Sequence, residues 1–146
     1  MKFLSKIALK FLVFVGLILS LHANALQIGD KAPNFIADTT KGKLDFYDWS
    51  QNQWVILLSH PGDFSPVCTT ELAEAAKLQP LFNKKNVKMI TLSADSLEDH
   101  FEWVEVINDY KNKTTTTDDL KNLLLGIEGD TDVNFPIISD PDLKVA

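Results

Sequence analysis

Three apolar runs separated by polar segments dominate the pattern of the chain. "QWVILLSH" covers Gln53–His60, "VKMITLS" covers Val87–Ser93, and "FPIIS" covers Phe135–Ser139. Short continuous apolar runs bounded by polar residues are typical of strands that are covered on both faces of a sheet. The pattern therefore predicts three buried strands.

Two segments with helical periodicity lie between and after the first two runs. The spacing predicts one helix from Pro66 to Asn83, with Pro80 as a site for a kink, and a second over Ser96–Tyr110. The second helix is predicted to place these residues on or beside its apolar side: Phe101, Trp103, Val104 and Ile107. Strands alternating with helical crossovers predict an α/β fold in which at least part of the sheet is parallel.

The flanking segments carry weaker patterns. Residues 26–49 predict short strands and turns, and the polar residues 111–134, with their run of Thr, predict a loop around a short apolar centre. Near the end of the chain, Asp140 as N-cap and Pro141 at the first helical position predict the opening of a third helix.

The first 25 residues differ from the rest. Lys2, Lys6 and Lys10 come before any acidic residue, the apolar run Phe11–Leu21 follows, and "HANA" ends the segment with small residues. This order is typical of a secretory signal peptide, so residues 1–25 are predicted to be removed and the mature chain to begin near Leu26. An uncleaved membrane anchor is the alternative, although spanning a bilayer takes about 20 apolar residues. The predicted localisation is secreted or within the secretory pathway.

Composition and charge exclude several classes of protein. The length of 146 residues suits one domain, and a hydrophobic share of 45% is enough to form a core. The net charge is −6, and every one of the 14 basic residues is Lys. Proteins that bind nucleic acids normally carry a basic patch, so small molecules or other proteins are the expected partners. Asn112, in Asn112-Lys113-Thr114, is a candidate glycosylation site if the chain is exported.

The single cysteine has a distinctive place in this pattern. Cys68 falls in the first turn of the first predicted helix, directly after a predicted strand. Free backbone N–H groups and the positive end of the helix dipole favour a thiolate there, and α/β sheets bind ligands beyond the carboxyl ends of their strands. The residues alone leave two interpretations open, a reactive thiol or a small buried hydrophobe. A lone thiol in an exported chain favours reactivity or intermolecular pairing.

The residues around Cys68 also carry a family resemblance. "PGDFSPVC", Pro61–Cys68, matches the peroxiredoxin signature P-x-x-x-[TS]-x-x-C, and "SHPGDFSPVCTTEL" resembles the 1-Cys class of the AhpC/TSA type. The surrounding segments "IGDKAPNF", "AAKLQPLFNKKNVKMITLSADSLEDHFEWVEVIND" and "FPIISD" resemble the same family. The resemblance implies a thioredoxin-like fold over residues 26–146 that is incomplete, because the later strands of the family's sheet are missing.

The resemblance further implies an antioxidant function. It implies a peroxidase that reduces hydrogen peroxide or organic hydroperoxides through one peroxidatic cysteine, without a cofactor, and is regenerated by an external thiol of the glutathione or thioredoxin type. A full-length form is expected to be a homodimer, because the 1-Cys class has a C-terminal dimerisation region.

Individual residues receive roles from the same resemblance. Cys68 would be the nucleophile, and Ser65, where most members have Thr, would hydrogen-bond peroxide and thiolate. Pro61 would shape the loop and shield the thiolate from water. The N–H groups of Val67 and Cys68 would help to hold the peroxide, and His60 would orient the loop.

One expected element of such a site is absent from the sequence. Glu71 resembles the acid that braces an active-site Arg in the family, and this chain contains no Arg. Removing a charged donor of this kind lowers the rate by about 10²–10³, and the charge of Glu71 would oppose thiolate formation. Without the later strands, "WVILL" would lie on an open edge or pair with the N-terminal strands. A catalytically impaired thioredoxin-fold binding protein or redox sensor, or an unstable fragment, are therefore the alternatives.

No metal site is predicted. The three histidines, His22, His60 and His100, have no metal-ligand spacing with one another or with Cys68. A structural zinc site normally takes four ligands held close together.

Overall fold

The computed structural model describes residues 26–114 and 132–145. The predicted signal peptide and most of the Thr-rich segment lie outside the described residues, so what was predicted for them stays a prediction. The chain divides into two compact units, Met1–Pro33 and Asn34–Ala146. In the described part of the first unit, the Asp30 N–H donates to the carbonyl of Gln27 at 3.0 Å and closes a turn.

The described part of the second unit is built from short strands and helices. In chain order they are β1 (Ile36–Thr39), β2 (Gly42–Asp45), α1 (Phe46–Ser50), β3 (Trp54–Ser59), α2 (Pro66–Lys84), β4 (Val87–Ser93), α3 (Leu97–Thr114) and β5 (Ile137–Ser139). The three apolar runs supply β3, β4 and β5, and both predicted helices are present. No helix among the described residues is both long and apolar enough to cross a membrane.

The described strands form one mixed sheet in the order β2-β1-β5-β4-β3. β3, β4 and β5 are parallel neighbours, with α2 and α3 as their crossovers, whereas β1 runs antiparallel to both β2 and β5. This arrangement confirms the predicted α/β class and the partly parallel sheet.

Apolar side chains cover both faces of the sheet. One cluster joins α2 and α3 to the sheet and includes Cys68, Leu72, Ala76, Met89, Trp103, Ile107, Phe135 and Ile137. The cluster on the other face contains Ala37, Leu44, Ile90, Leu92 and Ile138, with Phe46 and Trp49 of α1 packed against it. The alternation of Ile137 and Ile138 between the clusters reflects the two-residue period of a strand.

Helix α1 was not predicted, because its sequence is short and begins directly after a strand. Asp45 is its N-cap, and the Asp45 carboxylate accepts the N–H groups of Tyr47 at 3.1 Å and Asp48 at 3.2 Å. Asn34 also accepts the Tyr47 N–H, at 2.9 Å. A side-chain oxygen that satisfies the first free N–H groups stabilises a helix start, which explains this local departure from strand.

The prediction that β3 is covered on both faces is wrong. Among the described strands β3 pairs only with β4, so its other edge is open. Trp54 is 78% exposed and Leu57 is 46% exposed. Of the two arrangements expected for "WVILL", the structure has the open edge.

The apolar side of α3 is also shifted from the predicted one. The buried residues of α3 are His100, Trp103, Ile107 and Lys111, while Phe101 is 51% exposed. The ammonium group of the buried Lys111 forms an ion pair with Asp132. The buried positions of α3 therefore include two polar residues with partners, His100 and Lys111, whereas the apolar periodicity predicted Phe101 on the buried side.

Residues 140–145 form turns rather than the predicted third helix. The Asp140 carboxylate does accept the N–H groups of Lys144 at 2.8 Å and Val145 at 2.9 Å, as a capping residue would. Leu143 has a positive φ of 51°, which takes the backbone out of the helical conformation.

Candidate active site

Cys68 lies in the first turn of α2, just beyond the carboxyl end of β3. Ser65 is the N-cap and Pro66 is the first helical residue. The intrahelical ladder opens with the Thr69 N–H, which donates to the carbonyl of Ser65 at 2.9 Å. The N–H groups of Val67 and Cys68 precede that bond, so they belong to the helix end that can bind an anion or a polarised oxygen.

Trp103 of α3 packs behind this turn. Its indole N–H donates to Oγ1 of Thr69 at 2.9 Å, and the same hydroxyl donates to the Ser65 carbonyl at 2.9 Å. Cys68 is 7% exposed and shares its core cluster with Leu72 and Trp103. The thiol therefore lies at the border between the core and the helix N-terminus.

The other residues implied by the family signature lie near the turn and differ in what their side chains contact. The Ser65 side chain makes no capping hydrogen bond, so its hydroxyl is not committed to the helix end. Pro61 and Glu71 are exposed, and Val67 is 64% exposed.

Glu71 lies at the rim of an apolar cavity of about 460 Å³ between α2 and β3. The apolar side chains that line the cavity are Ile56, Leu58, Ala75, Leu78, Phe82 and Met89. Ile56 and Leu58 of this lining belong to β3, the strand whose second edge is unpaired among the described strands.

A buried cluster of one carboxylate and two imidazoles stands beside the turn. Nε2 of His60 lies 3.0 Å from Oδ1 of Asp63, and Nδ1 of His100 lies 2.6 Å from Oδ2. Nε2 of His100 lies 3.0 Å from the carbonyl oxygen of Ile138. His60 also contacts the ring of Trp103, with 4.9 Å between centroids. The cluster joins the cysteine loop to α3 and to β5.

Sequence reasoning named His60 but missed Asp63 and His100 as parts of this cluster. A weak signal was present: Asp63 follows His60 by three residues, and His100 lies on the helix face that carries Trp103. Nothing in the sequence indicated that the two histidines share one carboxylate, because Asp63 and His100 are 37 residues apart.

The histidines determine the charge of Asp63. Burial of the carboxyl is the largest single influence and raises its pKa, but hydrogen bonds from His100 and His60, together with electrostatic attraction to the two rings, outweigh burial. The pKa of Asp63 is therefore held below its ordinary value of 3.8, and the group is a carboxylate at neutral pH.

Asp95 fixes the backbone of the same loop. Its Oδ2 accepts the Asp63 N–H at 2.8 Å and the Ser93 hydroxyl at 2.7 Å. Phe64, the next residue, has a positive φ of 57°, a conformation that a bulky side chain rarely adopts. The loop before Cys68 is therefore both strained and strongly anchored.

One ligand atom each from His60, Asp63 and Asp95 lie within 4.8 Å of one another, a set that divalent ions can bind. Each oxygen of the Asp63 carboxylate already bonds to an imidazole, and Oδ2 of Asp95 already accepts two hydrogen bonds. The carboxylate oxygens that could bind an ion are thus already hydrogen-bonded, and the arrangement is a hydrogen-bonded network.

The comparison with protein families shows which family the chain belongs to. The model described as the AhpC/TSA family matches residues 28–146. The chain belongs to the AhpC/TSA family. Its curated AhpC/TSA relatives include peroxiredoxin-6 of Gallus gallus, 49% identical over 124 residues, and peroxiredoxin-6 of Homo sapiens, 49% identical over 121 residues. Each alignment covers 83% of this chain and 48% of the relative, so the chain spans about half the length of these curated relatives.

Solved structures of AhpC/TSA proteins show the same fold. A yeast mitochondrial 1-Cys peroxiredoxin, studied for thiol resolution through the glutathione and thioredoxin systems, is 43% identical with a TM-score of 0.65, covering 80% of this chain and 46% of its own. Peroxiredoxin 6 of Arenicola marina is 40% identical with a TM-score of 0.66, covering 83% and 48%. The predicted thioredoxin-like peroxiredoxin fold and the 1-Cys resemblance are thus confirmed, and the sheet is partial relative to these full-length homologues.

Proposed function

We propose that this chain acts as a thiol-dependent peroxidase of the 1-Cys type, with Cys68 as the peroxidatic nucleophile. The observation that carries the proposal is the place of Cys68: third residue of α2, beyond the carboxyl end of β3, within a family-matching signature. The N–H groups at this helix end favour the thiolate and can polarise an incoming oxygen.

The reaction needs only the thiolate and a peroxide. Sγ of Cys68 attacks the terminal oxygen of ROOH, an S–O bond forms as the O–O bond breaks, and sulfur gives up two electrons. The leaving RO⁻ takes a proton and departs as an alcohol, or as water when R is hydrogen. The product on the protein is Cys68 sulfenic acid.

Neighbouring groups would assist this step. The Ser65 hydroxyl, which is not used for capping, would hydrogen-bond the peroxide, and the N–H groups of Val67 and Cys68 would stabilise the charge that develops on oxygen. Pro61 would hold the bend after β3 and limit access of water.

The reductant must come from another molecule, because Cys68 is the only cysteine in the chain. An external thiol of the glutathione or thioredoxin type would attack the sulfenic sulfur, release water and form a mixed disulfide, which a second thiol then resolves. We propose a homodimer only for a full-length form of the protein.

A specific set of observations favours a second function, an impaired binding protein or redox sensor. The chain has no Arg, Glu71 adds negative charge near the same turn, and Cys68 is only 7% exposed. Low exposure limits the access of a peroxide to the thiol, and the missing guanidinium removes a transition-state donor. A slow thiol that nevertheless oxidises selectively would serve as a sensor.

Sulfenic acid trapping separates the two functions. Purified residues 26–146 are treated with hydrogen peroxide or an alkyl hydroperoxide, and a sulfenate-specific probe is detected by mass spectrometry, with Cys68→Ser as the blank. Oxidation of Cys68 much faster than that of free cysteine supports the peroxidase, whereas an equal rate favours the sensor. Absence of probe at Cys68 rejects both. Ser65→Ala should slow oxidation, and the conservative Ser65→Thr should restore it.

Export of the chain is part of the same proposal. Residues 1–25 have the order of a signal peptide, and Asn112, exposed on α3, stands in a sequon. Expression of the full chain in a secretory host should yield a product beginning near Leu26 in the medium. A wild-type mass that falls by the mass of a glycan on glycosidase treatment, with no such fall for Asn112→Gln, would show that Asn112 carries a glycan. A product retained with residues 1–25 attached would contradict cleavage.

A further inference from the structure

We propose that Asp63 is the positioning residue of the cysteine loop: its carboxylate and its N–H fasten the loop before Cys68 to α3, to the end of β3 and to the turn after β4. The effect on reaction with peroxide rests on the proposed peroxidase function. The effect on the accessibility of Cys68 does not rest on it.

The first attachment is an ion pair with His100. Both ring nitrogens of His100 face oxygen acceptors, Oδ2 of Asp63 at 2.6 Å and the carbonyl of Ile138 at 3.0 Å. A ring nitrogen without a proton would aim a lone pair at an oxygen, so only the doubly protonated ring donates to both. The side chains of His100 and Asp63 are 0% and 2% exposed, and buried opposite charges persist when they are paired and hydrogen-bonded.

The second attachment fixes the tautomer of His60. Its Nε2 lies 3.0 Å from the other oxygen of Asp63, so the proton resides on Nε2. A proton on Nδ1 as well would be a buried donor without an acceptor among the described residues, so Nδ1 carries a lone pair. Nδ1 is buried and has no hydrogen-bond partner among the described residues, as expected for a ring oriented from its other side.

The third attachment explains the strain at Phe64. The Asp63 N–H is held by Asp95 at 2.8 Å, directly before the residue whose φ is 57°. A non-glycine residue in this region costs about 1–3 kcal/mol and keeps the conformation only where its surroundings fix it. The N–H bond to Asp95 and the two carboxylate bonds to the imidazoles supply that constraint together.

Loss of the Asp63 carboxylate therefore has opposite effects on two reactions of Cys68. Without the carboxylate bonds to His60 and His100, only the N–H bond to Asp95 still holds the loop. Phe64 then relaxes toward negative φ and the first turn of α2 loosens, so a thiol that is 7% exposed becomes accessible to a bulky reagent. Reaction with peroxide instead requires the ordered N–H groups of that turn, so it becomes slower.

The experiment compares Asp63→Asn and His100→Gln with Asp109→Asn, an equal loss of charge at an exposed site on α3. Cys68 alkylation by N-ethylmaleimide and sulfenic acid formation by hydrogen peroxide are timed under native conditions. We expect alkylation to rise about 10-fold in the first two variants, peroxide oxidation to fall about 10–100-fold, and Asp109→Asn to match the wild type. Unchanged alkylation in folded Asp63→Asn overturns the proposal.

Nitrogen-15 NMR of the histidine rings gives a readout that needs no variant. The folded wild type should show two protonated ring nitrogens on His100 and one, Nε2, on His60. A singly protonated His100 overturns the proposal even where Asp63→Asn fails to fold. If wild-type Cys68 oxidises no faster than free cysteine while Asp63→Asn still raises alkylation, the peroxidase function fails and the positioning role stands.

Discussion

Trp103 and Thr69 are joined by a buried hydrogen bond of 2.9 Å, through which α3 holds the helical turn that carries Cys68. The indole is fully buried, and its acceptor is the residue next to the cysteine. The geometry of the first turn of α2 thus depends on a side chain from another element.

Replacing Trp103 should therefore destabilise the protein. Trp103→Phe removes the indole N–H and leaves a small cavity, and we expect the free energy of unfolding to fall by about 1–3 kcal/mol. Urea unfolding followed by circular dichroism measures the change. Trp54→Phe makes the same replacement at a site that is 78% exposed, and it should be nearly neutral. Equal losses in the two variants would contradict the structural role of the hydrogen bond.

Replacing Phe64 by glycine should give a more stable protein than replacing it by alanine, the reverse of the order at an ordinary helical position. Because φ is 57° there, Phe64→Gly relieves strain that Phe64→Ala retains, and the Gly variant should be more stable by about 1 kcal/mol. At Phe101, similarly exposed but within α3, the Gly variant should be the less stable by about 1 kcal/mol. Chemical denaturation of the four proteins tests this change of sign. The same order at both positions would show that Phe64 is unstrained.

The hydrogen bonds of Asp63 predict a specific acid dependence. Because the folded-state pKa of Asp63 lies below 3.8, its contribution to stability is complete above that value and disappears as pH falls through the lower folded pKa. The difference in unfolding free energy between wild type and Asp63→Asn should accordingly shrink as the pH is lowered below 3.8. Denaturant titrations at successive pH values measure it. Asp109→Asn should show no such convergence, and a constant difference for Asp63→Asn would refute the lowered pKa.

The open edge of β3 predicts self-association. An apolar strand with unpaired backbone groups attracts a second strand, and a charge placed on it prevents pairing. Leu57→Lys should reduce the concentration-dependent association of the purified chain in sedimentation velocity. Phe101→Lys adds the same charge at an exposed apolar site away from the sheet edge and should leave association unchanged. A wild type that stays monomeric at high concentration would show that the edge is protected.

Local patterns predicted the parts of the fold that depend on local chemistry. β4 was predicted with its observed bounds, because a strand that lies between two neighbours in a covered sheet is mainly apolar. The same rule failed for β3, whose apolar residues are exposed because no described strand covers its second edge. α1 escaped prediction because a single capping carboxylate, rather than periodicity, specifies it.

The sequence predicted only part of the candidate site. Cys68 stood out because a helix start, a strand end and a family signature coincide there. The pairing of Asp63 with His100 produces no periodic pattern in the sequence, because the two residues are 37 positions apart. His100 also occupies a core position on α3 that hydrophobic patterning assigns to apolar side chains. Buried polar pairs of this kind become recognisable only when the topology brings both partners together.

The central place of β5 has a consequence for the order of events during synthesis. Among the described strands, β5 alone connects the β1–β2 hairpin to the β3–β4 pair. Its Ile137 N–H bonds to the hydroxyl of Thr40, 97 residues earlier. During synthesis the backbone groups of the hairpin that face β5 therefore stay without their partners until almost the whole of this sequence has been translated. Chaperones that shield nascent segments are expected to engage it during that interval.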